Sequence, residues 1–287
     1  MIKDNWFYET LHDGIRQCFL VEKTLYEEKT AHQHLLILQN NVFGKILVLD
    51  GIVQLTEKDE FIYHEMLAHV PLMLHDKPSK VLIVGGGDGG IAREVIKHRE
   101  VDQIDMVEID KSVIEFSQQH LEFVHQGVFS HPKLNIIIED AAKFVQKVAP
   151  NSYDIIIVDS TDPIGVGEVL FSRQFYSNCA DILTDMGVLV TQNGVPLLQH
   201  SHLQSSMAYF RELFVDSGCF LAHIPTYYGG AMSLGYASHG DNRQKLDDAK
   251  IQARLANIIS EHGDLKYYNI EMQRSAFTLP QYIRGLI

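Results

Sequence analysis

The chain has few cysteines and no long apolar run. Its 287 residues include only Cys18, Cys179 and Cys219, and this wide spacing argues against a disulfide framework and against a zinc cluster. No stretch approaches the ~18 apolar residues of a membrane span. Residues 1–6 also lack the apolar core of a signal peptide. We therefore expect a cytoplasmic protein without a membrane partner.

Basic residues are outnumbered by acidic ones, 24 Lys and Arg against 37 Asp and Glu, for a formal net charge of -13. Nucleic acids and anionic membrane surfaces are polyanions, so this balance disfavours both as partners. A neutral or cationic small molecule fits better. The 46% hydrophobic and 21% charged composition is typical of a globular protein.

The first sixty residues predict a small N-terminal β domain, assigned here as 1–60. Alternating apolar and polar residues indicate strands at 17–22, 34–39, 45–50 and 52–56. Asp50-Gly51 suits a two-residue hairpin turn between the last two strands. From Lys58 the pattern changes to that of an amphipathic helix, which should end before Lys77-Pro78.

Residues 61–287 predict an α/β catalytic domain. Strands are expected at about 80–84, 103–108, 134–138, 153–158 and 187–192, and helices at about 89–98, 111–120, 140–148, 172–184 and 201–217. Such alternation builds a parallel sheet flanked by helices, with ligands at the carboxyl ends of the strands. Two late strands, 220–225 and 232–237, predict an antiparallel edge. The fold class is therefore α/β, with a Rossmann-like, methyltransferase-type sheet.

A glycine-rich loop follows the first of these strands. Gly85, Gly87 and Gly90 have the spacing G-x-G-x-x-G, which lets a nucleotide approach the backbone at a helix N-terminus. The spacing alone is weak evidence, because any tight strand-to-helix turn needs glycine for steric reasons. We interpret the loop as a nucleotide site because it joins an apolar strand to a helix and because acids stand at the ends of the strands of the same sheet.

Acidic residues stand where the first four strands of this sheet end: Asp88, Glu108, Asp140 and Asp159. Glu108 lies about twenty residues beyond the loop, where an acid can accept both hydroxyls of a ribose. Asp140 could accept from an adenine amino group, with the Ala141 N–H facing a ring nitrogen. The alternative role for each of the two is a helix cap, although Asp110 could cap the helix after Glu108 equally well.

Asp88 separates the possible ligand classes. A carboxylate inside the loop would face the pyrophosphate of a dinucleotide, at a cost of about 4 kcal/mol at ~4 Å and an effective dielectric near 20. A sulfonium nucleoside would instead be attracted. Because Asp159 and Asp162 add further negative charge, a donor tail that ends in a bare ammonium fits better than one with a carboxylate. The charge pattern therefore favours aminopropyl transfer over methyl transfer.

Several motifs together resemble the polyamine aminopropyltransferases, and the resemblance covers nearly the whole chain. The motifs are Gly51-Ile-Val-Gln-Leu-Thr-Glu57, Phe61-Ile-Tyr-His-Glu-Met66, Gly85-Gly-Gly-Asp-Gly89, Val107-Glu-Ile-Asp110, Asp159-Ser-Thr-Asp-Pro-Ile-Gly165 and Ile224-Pro-Thr-Tyr-Tyr228. The resemblance implies an enzyme that moves an aminopropyl group from decarboxylated S-adenosylmethionine, a co-substrate, to the diamine putrescine. It implies no cofactor, no metal, and a homodimer or homotetramer.

The resemblance also implies roles for individual residues. Asp159 would accept the proton from the attacking amine. The nucleoside would be bound by Gln33, Asp88, Glu108, Asp140, Ala141 and Val166, and the amine groups by His64, Asp88, Asp159, Ser160, Thr161 and Asp162. Tyr63, Gln54 and Tyr227 would line the polyamine channel. Val166 departs from the proline common in the family, which leaves the backbone there less constrained.

Residues 160–168 contain two glycines and show no strong helical pattern. We expect this segment to act as a lid that excludes water from the reacting centre.

Two other readings stay open at the level of sequence. A methyltransferase would share the sheet and the nucleoside acids, and a nucleoside or polyamine sensor would share the binding site without the chemistry. Cadaverine and agmatine are alternative acceptors, because channel depth does not follow from residue identity.

Overall fold

The computed structural model describes residues 2–9, 11–161, 165–228, 230–245 and 247–287, with the backbone alone for Gly165 and Val166. The chain divides into two compact units. The first comprises Met1–Glu60 and Ile224–Gly230, and the second comprises Phe61–His223 and Ala231–Ile287. The short Ile224–Gly230 segment therefore packs with the N-terminal residues.

The described part of the first unit forms two antiparallel sheets. One has the order β1-β2-β3 and the other β4-β5-β6-β7. Their strands are β1 (Ile2–Lys3), β2 (Trp6–Tyr8), β3 (Cys18–Leu20), β4 (Lys23–Lys29), β5 (His34–Asn40), β6 (Gly44–Leu49) and β7 (Ile52–Thr56). Phe7, Phe19, Leu36, Leu38 and Ile46 are among the residues of its core.

The hairpin between β6 and β7 turns at Asp50 and Gly51, whose φ angles of 49° and 81° are both positive, as the predicted two-residue turn requires. Strand β4 was not predicted, because its residues 23–29 are mostly polar and exposed or half-buried. Strands β1 and β2 have only two and three residues, which is too short for an alternating pattern to register.

The described residues of the second unit form one seven-stranded sheet in the order β10-β9-β8-β11-β12-β14-β13. Its strands are β8 (Lys80–Gly85), β9 (Gln103–Glu108), β10 (Leu134–Ile138), β11 (Tyr153–Asp159), β12 (Leu183–Gln192), β13 (Asp216–His223) and β14 (Ala231–Ser238). The first five pair in parallel, and β14 pairs antiparallel with both β12 and β13. This arrangement confirms the Rossmann-like sheet with an antiparallel edge.

The described helices are α1 (Glu60–Leu74), α2 (Gly90–Val95), α3 (Lys111–His120), α4 (Glu122–His125), α5 (Ala141–Phe144), α6 (Arg173–Ile182), α7 (Pro196–Leu213), α8 (Asp248–His262), α9 (Ile270–Ser275) and α10 (Gln281–Arg284). Short 3₁₀ helices cover Val128–Ser130, Gly165–Phe171 and Asn242–Lys245. Within the described ranges, no helix has the length and apolar character needed to cross a bilayer.

Several predicted helix boundaries were wrong, and the helix expected at 89–98 ends at Val95. The helix expected at 201–217 begins at Pro196, a residue suited to the first helical turn, and ends at Leu213. Asp216 and Ser217 instead pair with β14. The helix expected at 172–184 ends at Ile182, because β12 already begins at Leu183. The helix expected at 140–148 ends at Phe144.

Helix α1 is joined to the C-terminal region by Glu65, whose side chain is buried. Its carboxylate accepts the backbone N–H groups of Lys266, Tyr267 and Tyr268 at 2.9, 2.8 and 2.7 Å. A buried carboxylate requires such partners. Glu65 therefore anchors the segment between α8 and α9 to the helix that carries Tyr63 and His64.

Candidate active site

The glycine loop brings the ends of β8 and β11 together. Gly85 and Gly86 have positive φ angles of 81° and 71°. A Cβ on Gly85 would lie 2.1 Å from the carbonyl oxygen of Asp159, so a larger side chain is excluded there. The N–H of Gly86 donates to the same oxygen at 3.2 Å. The loop thus holds Asp159 beside the start of α2.

His64, Asp88 and Asp159 form a cluster at this point. One nitrogen of His64 and one oxygen from each carboxylate all lie within 4.8 Å of one another. The Nε2 of His64 is 3.6 Å from the Oδ2 of Asp88, and the N–H of Gly90 donates to the Oδ1 of Asp88 at 2.6 Å. Such a group could hold a metal ion or an organic cation.

Tyr63 completes the cluster. Its hydroxyl donates to the Oδ1 of Asp159 at 2.7 Å, and its ring meets that of His64 edge-on. Both residues sit in the first turns of α1. The structure therefore brings together four residues that the sequence assigned to substrate binding: Tyr63, His64, Asp88 and Asp159.

The two carboxylates of the cluster differ in their affinity for protons. Burial raises the pKa of Asp159 to about 7, and the charge of Asp88 adds to this, while His64 and Tyr63 act in the opposite direction. Burial also raises the pKa of Asp88, but His64, the Gly90 N–H and Arg93 outweigh it and leave that pKa below its ordinary value. Asp88 is therefore a permanent negative charge, and Asp159 can take up or release a proton near neutral pH.

Glu108, at the end of β9, lies beside the glycine loop. A Cβ on Gly87 would be 3.0 Å from its Oε2, and its Oε1 accepts the N–H of Asp110 at 3.0 Å. Asp110, not Glu108, caps α3 by accepting from Ser112. Burial raises the pKa of Glu108 to about 7. The capping alternative for Glu108 is thus filled by its neighbour.

Asp140 does cap a helix. Its Oδ1 accepts the N–H of Ala142 at 3.0 Å, and its Oδ2 is 3.1 Å from the Nζ of Lys143. Ala141, the first residue of α5, is buried. Asp140 therefore has a structural role as the cap of α5, and its contact with the adenine of a nucleoside stays a prediction.

The other predicted site residues are placed less completely. Gln33, Gln54 and Tyr227 belong to the first unit, where the Tyr227 hydroxyl donates to the carbonyl oxygen of Gln54. The Ser160 hydroxyl is buried and has no partner among the described residues, and Thr161 is half-buried. Asp162 and the side chain of Val166 lie outside the described residues.

The segment 160–168, whose sequence shows no strong helical pattern, is partly helical among its described residues. Gly165–Phe171 forms a 3₁₀ helix, which single-residue patterns seldom reveal because such helices are short. The Nη1 of Arg93, in α2, donates to the carbonyl oxygen of Val124 in α4 at 2.6 Å.

Two buried polar residues with long-range hydrogen bonds were not identified from the sequence. Gln192, the last residue of β12, is buried and donates to the carbonyl oxygen of Ser160 at 3.2 Å. Asp59, also buried, accepts from the backbone N–H and the hydroxyl of Thr226 at 3.0 and 2.7 Å. A polar residue that ends an apolar strand was the available signal for Gln192, whereas the Asp59 contact spans 167 residues and gave none.

The fold and the site define a class: a Rossmann-like enzyme with a nucleoside-type glycine loop and an acidic cluster that suits a cation. Two family models match the chain. The spermine/spermidine synthase domain covers residues 60–248, and the spermidine synthase tetramerisation domain covers residues 5–57.

Curated relatives match over the full length. The polyamine aminopropyltransferase of Ruegeria sp. is 48% identical over 286 residues, covering 100% of this chain and 99% of that protein. The polyamine aminopropyltransferase of Pseudomonas syringae pv. tomato is 46% identical over 279 residues, covering 96% of each. The chain belongs to the spermine/spermidine synthase family and is an aminopropyltransferase.

Solved structures agree with this assignment. A spermidine synthase in complex with the transition-state analogue AdoDATO has a TM-score of 0.92 at 35% identity, covering 99% of this chain and 95% of the other. The spermidine synthase of Thermotoga maritima has a TM-score of 0.89 at 34% identity, covering 99% and 94%.

Proposed function

We propose that this protein transfers the aminopropyl group of decarboxylated S-adenosylmethionine to putrescine, giving spermidine and 5'-methylthioadenosine. The observation that carries the proposal is the cluster of His64, Asp88 and Asp159 at the joined ends of β8 and β11. Both substrates are cationic at neutral pH, and the cluster supplies one fixed and one titrating carboxylate. The family membership supports the same reaction class.

The reaction is the attack of a neutral amine on a methylene next to a sulfonium. If the amine resembles lysine, with a pKa of ~10.4, its deprotonation at pH 7 costs roughly 4.6 kcal/mol at 1.36 kcal/mol per unit. Asp159 is proposed as the proton acceptor, because its carboxylate is half-buried and its pKa lies near 7. A base whose pKa matches the working pH is the most effective.

Asp88 and His64 are proposed to hold the amine groups, since Asp88 stays ionised and its Oδ2 faces the imidazole at 3.6 Å. The resemblance adds Ser160, Thr161 and Asp162 for the acceptor and Tyr63, Gln54 and Tyr227 for its channel. The hydrogen bond from Tyr63 to Asp159 gives Tyr63 a second task, because it orients the proton acceptor.

For the donor nucleoside we propose that Glu108 accepts the ribose hydroxyls. Its carboxylate lies against the loop at Gly87 while Asp110 serves as the helix cap. Asp140 and Ala141, which follow β10, are proposed for the adenine together with Val166, and Gln33 is proposed for the nucleoside. The donor is a co-substrate, and a displacement of this kind requires no cofactor or metal.

The first unit is proposed to be the assembly domain, residues 1–60, with residues 61–287 as the catalytic domain of a cytoplasmic homodimer or homotetramer. The tetramerisation-domain match supports this. In the sheet β1-β2-β3, Phe7 and Phe19 are buried, whereas Trp6, Tyr8 and Leu20 are exposed. Because side chains alternate along a strand, these three share one uncovered apolar face.

The acceptor is tested by competition among equal concentrations of putrescine, cadaverine, agmatine and spermidine. The donor is decarboxylated S-adenosylmethionine with an isotopic label in its aminopropyl group, so that new products are identified by mass. We expect spermidine as the main product. A main product from another amine would correct the acceptor, and the absence of any amine product would refute the transfer.

Replacing Tyr63 by Phe should move the acid limb of kcat/KM for the diamine to higher pH by roughly one to two pH units. The Tyr63 hydroxyl stabilises the Asp159 carboxylate and so lowers its pKa, and a hydrogen bond to a charged group contributes about 1.5–3 kcal/mol. The measurement is a pH–rate profile from pH 5 to 9.

Asp159→Asn is the matched variant for this test. It should reduce turnover by about 10²–10⁴-fold, the usual contribution of a general base, while the affinity for 5'-methylthioadenosine stays within about threefold. An unshifted limb in Tyr63→Phe, or near-normal turnover in Asp159→Asn, would exclude Asp159 as the proton acceptor.

The assembly is tested by light scattering, with an expected mass of two or four times 32.6 kDa. Trp6→Glu should lower that mass, because a charge on the apolar face opposes its burial. Val215→Glu, at an exposed position of the second unit, is the control. A monomeric wild type, or an assembly unaffected by Trp6→Glu, would contradict this placement.

A further inference from the structure

The position of His64 depends on how α1 lies against α2. His64 is on α1, and Asp88 immediately precedes α2. A Cβ on Gly90 would lie 2.3 Å from the Cε1 of His64, so the imidazole rests directly on the first residue of α2. Any sliding or rotation of α1 along α2 would change the separation of 3.6 Å between His64 and Asp88.

A second contact joins the same two helices about 7.5 Å further along α1, five residues at 1.5 Å each. The Nε2 of His69 is 2.9 Å from the Oε2 of Glu94, and its Nδ1 is 2.9 Å from the Nε2 of His98. His69, Glu94 and His98 are 0%, 1% and 1% exposed. These three side chains form a buried hydrogen-bonded chain that joins α1 to α2 and to the residues that follow α2.

The hydrogen bonds indicate which nitrogen of each imidazole donates and which accepts. His69 donates from Nε2 to the Glu94 carboxylate, so a neutral His69 accepts at Nδ1 from the Nε2–H of His98. The Nδ1 of His98 is then a bare acceptor, and it has no hydrogen-bond partner among the described residues. A proton added to His98 would leave an N–H at that atom without an acceptor among the described residues, which is costly in the interior.

The charged groups around His69, Glu94 and His98 also disfavour an additional proton on His98. Arg93 and Lys97 donate to Glu94 at 2.7 Å each, so two cations already face one carboxylate. Arg254 of α8 faces His98 and pairs with Glu100 at 3.2 Å, His262 of α8 interacts with Lys97 and Glu94, and the Tyr268 ring packs on His69. Burial, reinforced by His69 and Arg254, lowers the pKa of His98 well below its usual value. His98 is therefore held as a neutral ring at the end of this hydrogen-bonded chain.

We propose that His69, Glu94 and His98 are positioning residues that fix α1 on α2 and thereby hold His64 against Asp88 for binding of the acceptor amine. None of the three belongs to the cluster that binds substrate. The inference rests on the proposed function, since it assigns His64 to the amine. It accounts for two buried histidines that the chemistry itself does not use.

The test compares two changes at His98. His98→Gln places an amide nitrogen where Nε2 lies and keeps the donor to His69, whereas His98→Leu fills the space without a donor. We expect His98→Leu to raise the KM for putrescine at least fivefold, with the affinity for 5'-methylthioadenosine within twofold. His98→Gln should stay within twofold of wild type in both quantities.

A buried histidine elsewhere gives the matched control. His75→Leu removes a ring just beyond the end of α1, where His75 accepts from the N–H of Lys77 at 3.2 Å. It should lower the melting temperature and leave the KM for putrescine within twofold. If His98→Leu does not fold, His98→Ala, which also lacks the donor, is read in its place with the same expectation.

A double-mutant cycle with His64→Ala shows whether His98 acts through His64. In that background, His98→Leu should change the KM for putrescine by less than twofold. An equal increase in both backgrounds, or a loss in His98→Gln as large as in His98→Leu, would overturn the positioning role. If the wild type transfers aminopropyl groups and His98→Leu has the same KM for putrescine, this inference alone is overturned. If the wild type shows no transfer, the proposed function is overturned as well.

Discussion

Two carboxylates that share a buried space are the constraint on which the site depends. Asp88 and Asp159 repel one another, and burial increases that repulsion because the interior screens charge poorly. The protein offsets it unequally. His64, the Gly90 N–H and Arg93 stabilise the charge of Asp88, while Asp159 receives less and so has a pKa of about 7. One acid is thereby a fixed counter-charge, and the other is the one proposed as proton acceptor.

The backbone imposes this closeness. Gly85 cannot carry a side chain, since a Cβ would lie 2.1 Å from the carbonyl oxygen of Asp159. The end of β11 is therefore held against the turn that carries Asp88. Helix α1 covers the same region with Tyr63 and His64, and its next residue, Glu65, is bound by three backbone N–H groups of the C-terminal region. Helix α1 thus connects the site to the C-terminal segment that Glu65 binds.

Much of this could be predicted from sequence because it depends on short-range pattern. Branched apolar runs followed by glycines or acids predicted the parallel strands. The acids Asp88, Glu108 and Asp159 could be found because they stand where these strands end. Asp50-Gly51 located its hairpin for a local steric reason. The start of α7 was missed, because Pro196 terminates a pattern as readily as it begins a helix. The polar strand β4 carried no apolar alternation.

The long-range pairings could not be predicted. Nothing local to His69 or His98 indicates that their rings meet on Glu94, and nothing near Asp59 indicates Thr226. Such contacts follow from how helices and loops pack, whereas propensities describe only neighbouring residues. The pKa of Asp159 likewise depends on burial and on the charge of Asp88, which lies 71 residues away in the sequence.

The most direct test of the account is calorimetric binding of decarboxylated S-adenosylmethionine and of intact S-adenosylmethionine to the same protein at pH 7.5. If the fixed charge of Asp88 and its neighbours selects a purely cationic side arm, the decarboxylated donor binds at least tenfold more tightly, and Asp88→Asn narrows that ratio. Equal affinities, or a preference for the donor that keeps its carboxylate, would contradict the account.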